Sequence, residues 1–207
     1  MNNSHNNLLK PPKQQLVNLL ELYKTGKYLD AEKLALSITQ EFPQHHFTLK
    51  LLTAALRQNG KINEALIICQ KTVKLFPQDA EVHSNLGVLL RDLGRLGESC
   101  SAFFQAINLN PNFNNAYTNL SIVIKDVRFN SSNINLYTPL IKMLSNGNFV
   151  RPNDVANSIV SLLKHDPLIK NLLLEKNFPT SIKGINSTIG NLHKLKLLHL
   201  LMRLCPL

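Results

Sequence analysis

AEVHSNLGVLLRDLGRLGESCSAFFQAINLNP, residues 80–111, reads as two apolar-periodic stretches parted by a glycine and closed by a proline. Leu86 and Leu90 recur one turn apart in the first half, and Phe103 anchors the second. Gly94 stands where a helix C-terminus wants a left-handed residue. Pro111 stands where the following helix must stop. Asp79, just before the stretch, is placed to cap its first helix.

The same punctuation extends upstream. Proline recurs at Pro43, Pro77 and Pro111, and glycine at Gly26, Gly60 and Gly94, both in steps of 34 residues. Ala31 and Ala65 keep that step, with Ser99 in the third place. An average chain carries proline at about one residue in twenty, so two coincident registers mark a repeat. With units starting at residues 12, 46, 80 and 114, first helices are expected over about 13–25, 47–59, 80–93 and 114–127, and second helices over about 28–41, 62–75 and 96–109.

Ala31, Ala65 and Ser99 fall early in the second helices, where two helices cross closely and a large side chain would push them apart. Leu19, Leu22 and Leu34 fill the rest of the first unit, and Leu52, Leu56 and Leu66 the second. Each hairpin alone leaves one apolar face bare. Stacking covers it, so three or more units are needed.

These residues resemble the tetratricopeptide repeat family, helix–turn–helix units of 34 residues that end in proline. The third unit matches best: His83 at the usual aromatic place, then Leu86-Gly87, Leu90, Ser99, Phe103, Ala106 and Pro111 in register. The resemblance covers about 12–127 and implies an all-α, right-handed superhelix, an α-solenoid of roughly three and a half repeats, whose first helices line a concave face. Residues 1–11 are expected to be a disordered N-terminus and 128–207 a helical extension.

On that implied face, Asn85 and Asn119 share the sixth place of units three and four. The resemblance implies that such asparagines can bond the backbone of an extended peptide, as in the repeat arrays of O-linked N-acetylglucosamine transferases. An amide offers both donor and acceptor. Units one and two carry Val17 and Leu51 there, so such a ladder has at most two rungs. Arg57, Arg91 and Lys125 recur at the twelfth place and would make a basic stripe for an acidic ligand. Asp92 and Asp126 follow directly, and a solvated, charge-balanced face is the competing account. Some family members clamp a partner's C-terminal carboxylate. Lys50 and Asn85 fit that scheme, but Ala54, Asn115 and Asn119 stand where an asparagine, a lysine and an arginine belong, so this mode is rejected.

The fourth unit departs from the pattern: Arg128 replaces the turn glycine, Asn133 the small residue and Ser145 the terminal proline. Residues 128–133 read as a loop. Helices are expected over about 133–145 (with Ile134, Leu140, Ile141 and Leu144 apolar and an irregularity at Pro139), 153–164 (burying Val155, Ile159, Leu162 and Leu163), from Asp166-Pro167 to about 176, weakly over 181–189, and over 191–204. Leucines cover most of the circumference of the last, which predicts a buried helix, and so either a truncated chain or a docking point for a partner. Residues 134–207, with Asn148–Val155 and Leu201–Leu207, resemble the middle region of bacterial proteins in which such repeats precede an S-adenosylmethionine-dependent methyltransferase domain. That resemblance places any catalytic domain beyond Leu207.

Net charge is +10. No block of five basic residues appears, and nucleic-acid binding is not favoured. No run of eighteen apolar residues suggests a membrane span, and no signal-peptide pattern opens the chain, so a cytoplasmic location is expected. Cys69, Cys100 and Cys205 read as core thiols kept reduced. His45-His46, His193 and His199 lack partners at ligand spacing, so no metal is expected, and no cofactor motif appears. The reading is a non-catalytic scaffold that binds a peptide or protein segment. The alternative is the recruiting arm of a larger enzyme, a methyltransferase or a glycosyltransferase of the O-linked N-acetylglucosamine type, with its catalytic domain docked on helix 191–204.

Overall fold

The structure, a computed structural model, describes residues 10–145, 149–167 and 193–204. Helices alone make its regular structure, with no strand among the described residues. The chain divides into two units, residues 1–94 and 95–207. The expected disordered N-terminus lies outside the described residues except for Lys10 and Pro11, and Pro11 is buried.

The first unit holds α1 (Lys13–Lys24), α2 (Tyr28–Glu41), α3 (His46–Gln58), α4 (Ile62–Leu75) and α5 (Ala80–Asp92). Each helix packs on the next in order, and α3 also touches α1 and α5, so the first helices form a row. Chain reversal after α1 and α3 follows from glycine. Gly26 and Gly60 sit at φ 76° and 77°, a region costly for any residue with a Cβ. There the amides of Gly26 and Lys27 reach back to the carbonyls of Tyr23 and Leu22, and those of Gly60 and Lys61 to Arg57 and Leu56, which satisfies the helix ends. Gly94, at φ 74°, closes α5 through its bond to the Arg91 carbonyl.

Each proline occupies the second place of a tight turn. The His45 amide bonds the Phe42 carbonyl across Pro43-Gln44, and the Asp79 amide bonds Phe76 across Pro77-Gln78. Asp79 caps α5 by accepting from the amides of Glu81 and Val82. Ala31 and Ala65 have no exposed surface, as close helix crossing requires. Glu32 is a buried carboxylate on α2. It accepts from Lys61 Nζ at 2.6 Å and Asn59 Nδ2 at 2.7 Å, tying the turn after α3 to the helix before it. The bond from Lys61 is the main cause of its lowered pKa, against the opposing effect of burial.

The second unit holds α6 (Leu96–Leu109), α7 (Asn114–Ile124), a 3-10 turn (Ile134–Leu136), α8 (Tyr137–Ser145), α9 (Pro152–Leu163) and α10 (His193–Leu204). Helix α6 keeps the repeat: Ser99 and Phe103 are fully buried, and Phe113 bonds back to Asn110 across Pro111-Asn112. Acidic residues keep the 34-residue step as well. Asp30, Glu64 and Glu98 lie in the first turns of α2, α4 and α6, where they complement the helix dipole.

After α7 the repeat chemistry changes. Without a glycine, the end of α7 is closed by local backbone bonds, from the Asp126 amide to Val123 and from the Val127 amide to Ile124, and side chains reinforce it. Ser158 Oγ on α9 donates to Ile124 O at 2.6 Å, and Arg128 Nη1 donates to the carbonyls of Lys125 and Val127 and to Ser158 Oγ. The Phe129 amide donates to Ser161 Oγ. Asn133 caps the 3-10 turn through the Asn135 amide. The region expected to be one helix over 133–145 begins with this turn, and Ile134, at its start, is 60% exposed. Pro139 falls in the first turn of α8, where its missing N–H costs nothing, so it introduces no break in the helix.

Helix α10 packs on α8 and α9. It is not buried all round as its leucines suggest. Leu197 is fully buried, but Met202 is 55% exposed and Lys196, His199 and Arg203 face water. The helices expected to follow Pro167 and over 181–189 lie outside the described residues.

Candidate functional site

Within the first unit the structure brings four of the expected binding residues together, Lys50 and Arg57 on α3 and Asn85 and Arg91 on α5. Asn119 and Lys125 belong to the second unit, on and just after α7. Along α3, Lys50, Ala54 and Arg57 share a stripe at i, i+4 and i+7. Along α5, Glu81, Asn85, Val88 and Asp92 do the same.

Ion pairs join these stripes at both ends. Lys50 pairs with Glu81 and approaches Asp79 at 3.7 Å. Arg57 Nε donates to Asp92 Oδ2 at 2.6 Å, and Arg91 reaches the other oxygen of the same carboxylate at 3.2 Å. The basic stripe expected here is thus compensated within the unit. Lys125 is exposed and makes no ion pair among the described residues.

Between the two bridges, Ala54, Asn85 and Val88 are each half-buried, with Leu51 beside them. Asn85 makes no side-chain hydrogen bond among the described residues, and the same holds for Asn119, also half-buried. On neighbouring α1, Val17 is 48% exposed and Leu20 half-buried. The row therefore offers an apolar strip and one free amide between an end with two carboxylates to one lysine and an end with two arginines to one carboxylate, charges that balance only when both ends are taken together.

Sequence reasoning missed the polar cluster at the N-terminal end. Asp79 spends Oδ1 on the α5 amides and turns Oδ2 toward His46 Nε2 at 2.7 Å, a close approach without hydrogen-bond alignment. Burial alone would raise the Asp79 pKa. The charge of Lys50, the two amides and His46 together outweigh it and hold the carboxyl below its ordinary value. The His46 ring lies against Phe76, centroids 4.2 Å apart. Burial lowers the pKa of neighbouring His45, helped by the charges of His46 and Lys10. A signal for the bridges was present: aligned first helices place facing residues near a separation of 34, and the opposite charges of Lys50 and Glu81 stand 31 apart, those of Arg57 and Asp92 35 apart.

Cys69 and Cys100 are buried, and burial pushes both thiols up to about 12, which leaves them unreactive. Cys205 lies outside the described residues. Among the described residues no three His, Cys, Asp or Glu side chains gather to hold a metal ion. No helix among them is long and apolar enough to cross a membrane.

No family model matches the chain, and no curated protein matches it. Solved structures do. An O-GlcNAc transferase mutant from Thermobaculum terrenum superimposes with a TM-score of 0.55 at 21% identity over 65% of this chain. A Naa15/Naa10 complex bound to HypK-THB gives 0.54 at 17% over 90%, and the MamA RS-1 ArsTM double mutant 0.53 at 13% over 91%. The chain spans about a quarter of the first two proteins (26% and 28%) and 93% of the third. At these identities the likeness concerns the fold, which is tetratricopeptide-repeat-like.

Proposed function

We propose that this chain is a non-catalytic interaction scaffold that holds an extended polypeptide segment against the row α1, α3, α5. One observation carries the reading. Between the bridges Lys50–Glu81 and Arg57–Asp92, the small Ala54, the aliphatic Val88 and the free amide of Asn85 form a window that is apolar at its centre and neutral overall. A peptide group can both donate to and accept from Asn85, and an aliphatic side chain can lie over Ala54. Lys50, Arg57 and Arg91 frame the window, their charge already spent on Asp79, Glu81 and Asp92.

The test is capture of an immobilised peptide library by the intact chain. Ala54→Phe fills the window and should abolish capture, while Asn85→Ala should weaken it about threefold to tenfold, the worth of one hydrogen bond. Unchanged capture by folded variants would remove the site.

A second reading rests on the similarity to about a quarter of a glycosyltransferase chain. Here the same scaffold is the recruiting arm of a larger enzyme, a glycosyltransferase or a methyltransferase, whose catalytic domain would follow Leu207. Sequencing the transcript past that codon separates the two readings.

A further inference from the structure

Charge is unevenly shared. Residues 95–207 carry twelve Lys and Arg against five Asp and Glu, while residues 1–94 carry eleven against eight. In the second unit two of the five acids, Glu98 and Asp166, are engaged by other groups. Glu98 pairs with Arg95, and Asp166 is buried beside the Tyr137 hydroxyl, which donates to it at 2.7 Å.

Helix α10 concentrates the excess. The span His193–Leu204 contains no acidic residue. Its inner side is spent on α8 and α9, where Leu197 is fully buried. Its outer side shows Lys196, His199 and Arg203, spaced i, i+3 and i+7, with Met202 beside them at 55% exposure. At 100° per residue these four fall within an arc of roughly 120°, and Lys196 to Arg203 spans about 10 Å of helix axis. None of the three polar groups forms an ion pair among the described residues.

We infer that the outward face of α10 docks an acidic polypeptide segment, one presenting carboxylates at matching helical spacing with an apolar side chain against Met202. The dimensions decide the partner's class. A stripe one helix wide and about two turns long matches another helix. It is too narrow to follow duplex phosphates on two strands, and Met202 is the one exposed large apolar side chain on this helix among the described residues, little to insert into a lipid surface. The steering is electrostatic, so binding weakens as salt rises. This face belongs to the second unit and its assignment does not rest on the α3–α5 window of the first.

The experiment is fluorescence anisotropy on the intact chain with a labelled alanine-based helical peptide carrying Glu at i, i+3 and i+7, alongside its Gln counterpart, phosphatidylserine vesicles and a short DNA duplex. The Glu peptide should bind and the Gln peptide should not. Lys196→Ala with Arg203→Ala should weaken binding about tenfold, as two exposed ion pairs warrant, whereas Lys13→Ala with Lys71→Ala, the same charge change elsewhere, should leave it unchanged. Lys196→Glu with Arg203→Glu should transfer binding to a Lys version of the peptide, with circular dichroism reporting that each variant is folded. Equal binding of the Gln peptide, equal loss in the control variant, or tighter binding of vesicles or duplex through Lys196 and Arg203 would overturn the assignment.

Discussion

Ser158 Oγ donates to the carbonyl oxygen of Ile124 across 2.6 Å, joining α9 to the end of α7 where the first units use a glycine. It also accepts from the Arg128 guanidinium at 3.2 Å. Ser158→Ala removes both contacts and leaves the Ile124 carbonyl with only its bond from the Val127 amide. It should cost about 0.5–1.5 kcal/mol in urea unfolding, with Ser158→Thr losing less if the hydroxyl keeps its bond.

Two glycines should respond with opposite sign. Gly60 has open space where a Cβ would go but sits at φ 77°, so Gly60→Ala should destabilise by about 1 kcal/mol through the backbone alone, with Asn tolerated better. Gly97 also has open space and lies in α6 with ordinary backbone, so Gly97→Ala should stabilise by up to about 0.5–1 kcal/mol. Parallel urea titrations read both.

Ala65 has no exposed surface at its helix crossing. Ala65→Phe should lower stability by about 1–3 kcal/mol through overpacking, seen as a fall in Tm. A neutral result would contradict the close crossing.

Asp79 has a folded-state pKa below its ordinary 3.8. The sign follows directly: its stabilising contribution is complete above the unfolded value and is lost as pH falls through the folded one. The wild type should therefore lose stability across that acid range. Asp79→Asn keeps a capping side chain but removes the carboxylate, and its melting temperature should fall less steeply over the same interval.

The repeat was legible because its signals are local. Gly26, Gly60 and Gly94 announce turns through their own backbone freedom, and Pro43, Pro77 and Pro111 announce stops. The second helices over 28–41, 62–75 and 96–109 appear with those bounds. Non-local features were harder to read. The Arg57–Asp92 bridge depends on how neighbouring helices align: Asp92 next to Arg91 already pointed to a charge-balanced face, but the sequence did not show that it is Arg57, on another helix, that Asp92 binds. On α10, leucine count suggested burial on all sides, but a helix resting on two neighbours covers only the side facing them, and Met202 is left out. At Ile134, a 3-10 turn replaced the helical phase that the pattern assumed.

The side-chain closure of α7 has a consequence for the chain as it is made. Turns built on Gly26 and Gly60 can set once their own few residues have left the ribosome, since donor and acceptor are only a few positions apart. At the end of α7 the Asp126 and Val127 amides close the last turn locally, but the bond that ties it to α9 must wait for Ser158, 34 positions beyond Ile124. A nascent chain halted between the two would carry finished early hairpins and an α7 end not yet anchored, open to chaperones and proteases until the serine emerges.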